Sequence, residues 1–263
     1  MQYTLFAGCS YTAGIGFFQE KANPDLWVNI LHKSVPELAQ TQLINTAQGG
    51  RSNAGIFSDT AYNLTKHDCK YAFVAWTSCP RYELELGFET YDTRQCFIPN
   101  APTRDHNLNI CNYSSSYLDK VRDRFVSLAH LQYEIHNLVC YVNSLVAIAK
   151  LTGTKIFFIN AICPWDNHYF DKLENCKPES YTSFTKKEIL NIESRDDEEI
   201  FALYNKMHNQ YNQYGGIQDT HWLNLYQSMR RQKIDTNTDG SHPGKLSNKL
   251  YAERFSLEFI NRI

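Results

Sequence analysis

The feature that most constrains this chain is a set of short apolar runs, each closed by glycine or small polar residues and separated from the next by a helical pattern. Tyr3 to Ala7 ends at Gly8, Leu43 to Thr46 leads into Gln48-Gly49-Gly50, Tyr71 to Trp76 precedes Thr77-Ser78, and Lys155 to Ile159 follows Gly153. Runs this short, apolar at successive positions, read as strands covered on both faces. Between them, Leu26, Trp27, Ile30 and Leu31 keep helical spacing after Pro24, and Ser52 or Asn53 can cap a helix running through Ile56 to about Leu64. Leu118, Val121, Phe125, Leu128, Leu131, Ile135, Leu138, Val142 and Leu145 step by three or four, which predicts one long amphipathic helix, or two in succession, stopped by Gly153. A fifth short strand is expected at Trp222 to Leu225, and a last helix carries Leu246, Leu250, Phe255 and Phe259. The alternation predicts an α/β fold, with a mostly parallel sheet of about five strands between helices, as one domain over residues 1–263. Two polar stretches without periodicity, at about 80–117 and 164–217, read as helical or loop insertions.

Composition removes several classes of function. With 26 Lys+Arg against 28 Asp+Glu the formal charge is −2, which argues against a general nucleic-acid or anionic-membrane binder. No stretch reaches the roughly 18 apolar residues of a membrane span. The eight cysteines are scattered without a CxxC pair, and the opening MQYTLFAGCSYTAG has neither a basic leader nor an adequate apolar core. The expectation is a reduced, cytoplasmic protein. The histidines lack metal-ligand spacing, so neither a metal nor an organic cofactor is implied.

In a parallel sheet, sites form beyond the carboxyl ends of the strands. After the first strand, Gly8-Cys9-Ser10-Tyr11-Thr12-Ala13-Gly14 can present a serine hydroxyl from a tight strand-to-helix turn. After the second, Gly49-Gly50 offers backbone N–H groups next to a helix N-terminus. Near the end of the chain, Asp239-Gly240-Ser241-His242 sets an acid and an imidazole three residues apart. Serine is a weak nucleophile until a neighbouring imidazole takes its proton, and a carboxylate holds that imidazole in the right tautomer.

These segments resemble the sequence blocks of the SGNH (GDSL-type) hydrolases. GCSYTAG is similar to the first block, GDSxxxG, with Gly8, Ser10 and Gly14 matching and Cys9 in place of the usual Asp. Asn45 to Ser52 resembles the second block, with Gly50 five residues after Asn45, and Asp239 to His242 matches the final DxxH. The resemblance implies a flavodoxin-like three-layer α/β/α sandwich, with Ser10 as nucleophile, His242 as base and Asp239 as its orienter. It also implies oxyanion donors at the N–H groups of Ser10 and Gly50. It predicts His242 Nε2 within hydrogen-bond reach of Ser10 Oγ, and Asp239 at the other ring nitrogen.

The third block departs from the family pattern. Where an oxyanion-donating Asn would follow the third strand, this chain has Trp76-Thr77-Ser78, then Cys79-Pro80-Arg81. Ser78 or Thr77 can donate through a hydroxyl and Arg81 through its guanidinium, so one of them is expected to face the cleft. Asn53, Thr77, Arg51 and Arg81 are the candidate substrate-binding residues. Cys9 is expected to be a small buried residue, while Tyr11, Trp76, Trp165 and Tyr169 are placed to stack on a sugar or base. The activity implied is hydrolysis of a small-molecule or carbohydrate ester through an acyl-serine. The alternatives are an acyltransferase to a sugar or nucleotide acceptor, or a non-catalytic binding module; the oligomeric state stays open.

Overall fold

The computed structural model describes residues 1–77, 82–85, 94–97, 131–162, 221–223, 228–230 and 232–263. The elements are β1 (Tyr3–Gly8), α1 (Ser10–Ala13), a 3-10 turn (Glu20–Ala22), α2 (Trp27–Ser34), α3 (Pro36–Ala39), β2 (Gln42–Asn45), α4 (Asn53–Lys66) and β3 (Cys69–Trp76). They continue with β4 (Tyr82–Glu85), β5 (Arg94–Phe97), α5 (Leu131–Thr152), β6 (Lys155–Asn160) and α6 (Lys245–Ile260). The main sheet has the order β2-β1-β3-β6, and every neighbouring pair is parallel.

Successive strand residues face opposite layers. Leu5, Ala7, Ala72, Val74, Trp76, Ile156 and Phe158 pack with Ile56 and Leu64 of α4 and with Leu138, Val142 and Leu145 of α5. Phe6, Tyr71, Phe73, Ala75, Phe157 and Ile159 pack with Trp27 and Leu31 of α2 and with Tyr251, Phe255 and Phe259 of α6. This is the three-layer sandwich, and it explains why the strands are apolar at consecutive positions. Across β1, β3 and β6 the register aligns Phe6, Phe73 and Phe157, whose rings stack at 4.9 and 5.4 Å. Phe259 closes the row 5.2 Å from Phe157, and Trp27 meets Phe6 at 5.6 Å. Each such ring pair adds about 0.5–1.5 kcal/mol beyond the area it buries.

Helix α6 also completes α2. Leu26, at the N-cap of α2, has no side-chain acceptor, and the Trp27 N–H is taken instead by Asn248 Oδ1 at 3.0 Å. The last helix therefore supplies the cap that the local sequence lacks.

Three stretches add to what the sequence predicted. Of the strand expected at Trp222 to Leu225, Trp222 and Leu223 are described: Trp222 makes a parallel bridge with Phe158, and Leu223 N–H donates to Phe158 O at 3.0 Å. The stretch 80–117, read as a helical or loop insertion, contains the antiparallel pair β4–β5. Its strands are only four residues long, too short for an alternating pattern to stand out. The short helix α3, starting at Pro36, was not anticipated. Residues 118–130 of the expected long helix, and the stretch 164–217, lie outside the described residues. Among the described residues no helix is long and apolar enough to cross a membrane, and no group of three or more His, Cys, Asp or Glu is placed to hold a metal ion.

Candidate active site

The strand order reverses direction between β1 and β3, and in open α/β sheets the crevice beyond the strand ends at that point is where ligands bind. The register pairs Gly8 with Ala75, so Ser10 and Thr77, two residues further on, leave the two strands at the same level. Gly8 is required by space: a β-carbon there would come within 2.5 Å of Thr12 Oγ1 and 3.0 Å of Ala75 Cβ. Its bare Cα lets α1 fold directly onto the strand ends. Ser10 opens α1 and is 6% exposed. Its carbonyl accepts the Gly14 N–H at 3.0 Å, while its own N–H and Oγ have no hydrogen-bond partner among the described residues. Gly50, in a turn with φ +75°, likewise has an N–H without an acceptor among the described residues.

The acid and the imidazole sit on a short hairpin. Thr236 bridges Pro243, Asn237 N–H donates to His242 O at 2.8 Å, and Gly244 N–H donates to Asp235 O at 3.1 Å. At the tip, Asp239 Oδ1 accepts the N–H groups of Ser241 (2.9 Å) and His242 (3.0 Å), leaving Oδ2 to hold His242 Nδ1 at 2.5 Å. Burial alone would raise the Asp239 carboxyl. The two backbone N–H groups and the His242 side chain outweigh it and hold the carboxyl at about 2. The carboxylate thus claims the Nδ1 proton, which leaves Nε2 as an acceptor.

The hairpin reaches the other end of the chain. The His242 ring meets Tyr11 edge-on, with centroids 5.9 Å apart, and Thr238 Oγ1 donates to Gly16 O at 3.3 Å across 222 positions. The expected Asp239–His242 pair is present and lies against the residue next to Ser10. The expected hydrogen bond from Ser10 Oγ to His242 Nε2 is not formed. Such bonds often tighten only when substrate is bound.

The remaining candidates divide. Asn53 and Thr77 hold each other: Asn53 Nδ2 donates to Thr77 O at 3.0 Å and Asn53 Oδ1 accepts the Thr77 N–H at 2.9 Å. The Asn53 amide is therefore a clamp joining α4 to the end of β3. Thr77 Oγ1 is fully buried and has no hydrogen-bond partner among the described residues. Arg51 is 4% exposed and directs Nε and Nη2 at Asp59 Oδ2, at 2.8 and 2.6 Å, so its guanidinium braces α4. Ser78 and Arg81 lie outside the described residues, as do Trp165 and Tyr169. The stacking role expected of Tyr11 and Trp76 is corrected. Trp76 is wholly buried against Phe158, and Tyr11 is 6% exposed, with its ring turned to His242. Cys9 is buried, as expected.

Two contributors had no visible signal in the sequence. Asp235 anchors the hairpin to α6: its Oδ1 accepts the Ser247 N–H (2.7 Å) and hydroxyl (2.5 Å), and its Oδ2 accepts the Leu246 N–H (3.0 Å). An acceptor reaching a helix N-terminus from ten residues upstream follows no local capping pattern. Gly16 lies under Asp239.

No protein-family model matches this sequence, and no curated protein is significantly similar to it. Among solved structures the fold is similar to that of TesA, at 13% identity over 100% of both chains with a TM-score of 0.44. It is also similar to the psychrotrophic esterase EstA from Pseudoalteromonas sp., at 12% identity over 98% of this chain and 97% of that one, TM-score 0.44. A third similar structure is the lipase/acylhydrolase from Enterococcus faecalis, at 11% identity over 100% and 97%, TM-score 0.44.

Proposed function

We propose that this chain is a serine ester hydrolase acting through an acyl-serine intermediate. The observation that carries the reading is the Asp239–His242 pair, joined at 2.5 Å through Nδ1 and brought from the far end of the chain against Tyr11, the neighbour of Ser10. Ser10 Oγ attacks the ester carbonyl while His242 Nε2 takes its proton. The oxygen charge falls between the N–H groups of Ser10 and Gly50, which have no acceptor among the described residues and where each donor is worth about a hundredfold or more in rate. His242 then passes the proton to the departing alcohol. Water, deprotonated by the same ring, splits the acyl-serine into the carboxylic acid and the free hydroxyl. Thr77, Ser78 and Arg81 are the candidates for a third oxyanion donor, and the substrate is a small-molecule or carbohydrate ester.

A fluorophosphonate probe tests this directly. Wild type should be labelled, and Ser10→Ala and His242→Ala should not. A folded wild type that takes no label would overturn the reading and favour a binding role for the cleft. Hydrolysis of p-nitrophenyl acetate, measured with and without added sugar acceptors, separates release to water from acyl transfer.

A further inference from the structure

Gly16 belongs to none of the segments that carry the serine, the oxyanion donors or the acid–base pair, yet the pair leans on it. Its φ is +89°, in the left-handed region that side chains disfavour. A β-carbon at Gly16 would stand 2.8 Å from Asp239 Oδ2, 3.1 Å from Asp239 Cγ and 3.1 Å from Asn237 Nδ2. The Gly16 carbonyl meanwhile accepts the Thr238 hydroxyl. Three consecutive residues of the hairpin tip thus rest on one bare Cα and its carbonyl. The atom nearest to where that β-carbon would stand, Asp239 Oδ2, is the one that holds His242 Nδ1.

We propose that Gly16 is a positioning residue: its missing side chain is the seat of Asp239 Oδ2, and through that oxygen it fixes the His242 ring. This deepens the ester-hydrolase reading and rests on it for the kinetic arm of the test. A methyl group at Gly16 must displace either the carboxylate or the 14–20 turn. Displacing the carboxylate takes the acceptor away from the His242 Nδ1–H.

The test is Gly16→Ala, with Gly153→Ala as control. Gly153 has a similar φ of +71°, but a methyl there meets nothing within 4 Å, so it reproduces the backbone strain without the collision. With p-nitrophenyl acetate, Gly16→Ala should lower kcat about a hundredfold or more with KM within about twofold, and Gly153→Ala should lower neither. Because the effect runs through Asp239, Gly16→Ala should add less than about threefold to the loss already caused by Asp239→Asn. Thr238→Val, which removes only the hydroxyl, should act in the same direction and more weakly, and it serves if Gly16→Ala does not fold. Proton NMR gives a readout independent of turnover: the downfield His242 Nδ1–H resonance should shift or vanish in Gly16→Ala and persist in Gly153→Ala. An unchanged resonance with unchanged kcat, or a loss fully multiplicative with that of Asp239→Asn, would overturn the proposal. A wild type that neither turns over ester nor takes the probe would sink the hydrolase reading, while the resonance would still decide whether Gly16 seats the pair.

Discussion

Replacing Asp235 by alanine should loosen the hairpin at its base and be measurable as lost stability. The Asp235 carboxylate accepts three hydrogen bonds, from Leu246 N–H, Ser247 N–H and the Ser247 hydroxyl, and so caps α6 from outside the helix. A lost N-cap costs about 0.5–2 kcal/mol, and hydrogen bonds to a charged acceptor stand at the upper end of the usual range. Asp235 is half-buried, so water can replace part of what is removed. The expected loss is about 2 kcal/mol, or roughly 4–8 °C in Tm for a chain of this size. Asn at 235 keeps one acceptor and should lose about half as much. The pH dependence fixes the sign. Burial tends to raise the Asp235 carboxyl, but the hydrogen bonds from Ser247 and Leu246 prevail and hold it below the ordinary carboxylate range. Its contribution is therefore present above the unfolded value of about 4 and lost as pH falls through the folded one. Scanning calorimetry from pH 7 to 3 should show the gap between wild type and Asp235→Ala closing on acidification. A Tm within 1 °C of wild type at pH 7, or a gap that widens in acid, would refute the reasoning.

Two further outcomes follow from the site. Asn53→Ala leaves the buried Thr77 N–H and C=O without their partners, at about 1–3 kcal/mol each. Urea unfolding should show a loss of roughly 2–6 kcal/mol, and a loss under 1 kcal/mol would mean that the clamp is not what ties α4 to β3. Asp239, held at about 2, stays charged through the assay range, so any acid limb measured in kcat/KM should belong to another group. Asp239→Asn should lower kcat by about three to four orders of magnitude. Because its folded value is depressed, wild type should lose stability relative to this variant as pH drops from about 4 towards 2, as melts in that range can check.

What could be read in the sequence was what depends on neighbours in the chain. The runs at Tyr3, Tyr71 and Lys155 became β1, β3 and β6 because two-sided burial writes itself as unbroken apolar composition. Ser52 caps α4 by accepting the Gly55 N–H at 3.1 Å, which is a local rule. The Asp239–His242 pair was legible because one turn of chain brings the two together. Contacts made across the molecule were hidden. Nothing local marks Asn248 as the cap of α2, Asp235 as the cap of α6, or Gly16 as the support for a carboxylate more than two hundred residues away. Tyr11 and Trp76 misled for the same reason: a ring near a strand end serves a ligand or the interior depending on what packs above it. Arg51 found its partner, Asp59, one helix segment along, where spacing alone left it indistinguishable from a surface cation.

That α6 both covers the phenylalanine row and caps α2 bears on how the protein is made. A chain still being translated holds Ser10 more than two hundred residues before it holds Asp239 and His242. Until α6 is made, Trp27, Phe73 and Phe157 lack the Phe255 and Phe259 rings that pack on them, and the Trp27 N–H lacks its Asn248 acceptor. Consolidation of the α2 side of the sheet should therefore wait on the synthesis of α6.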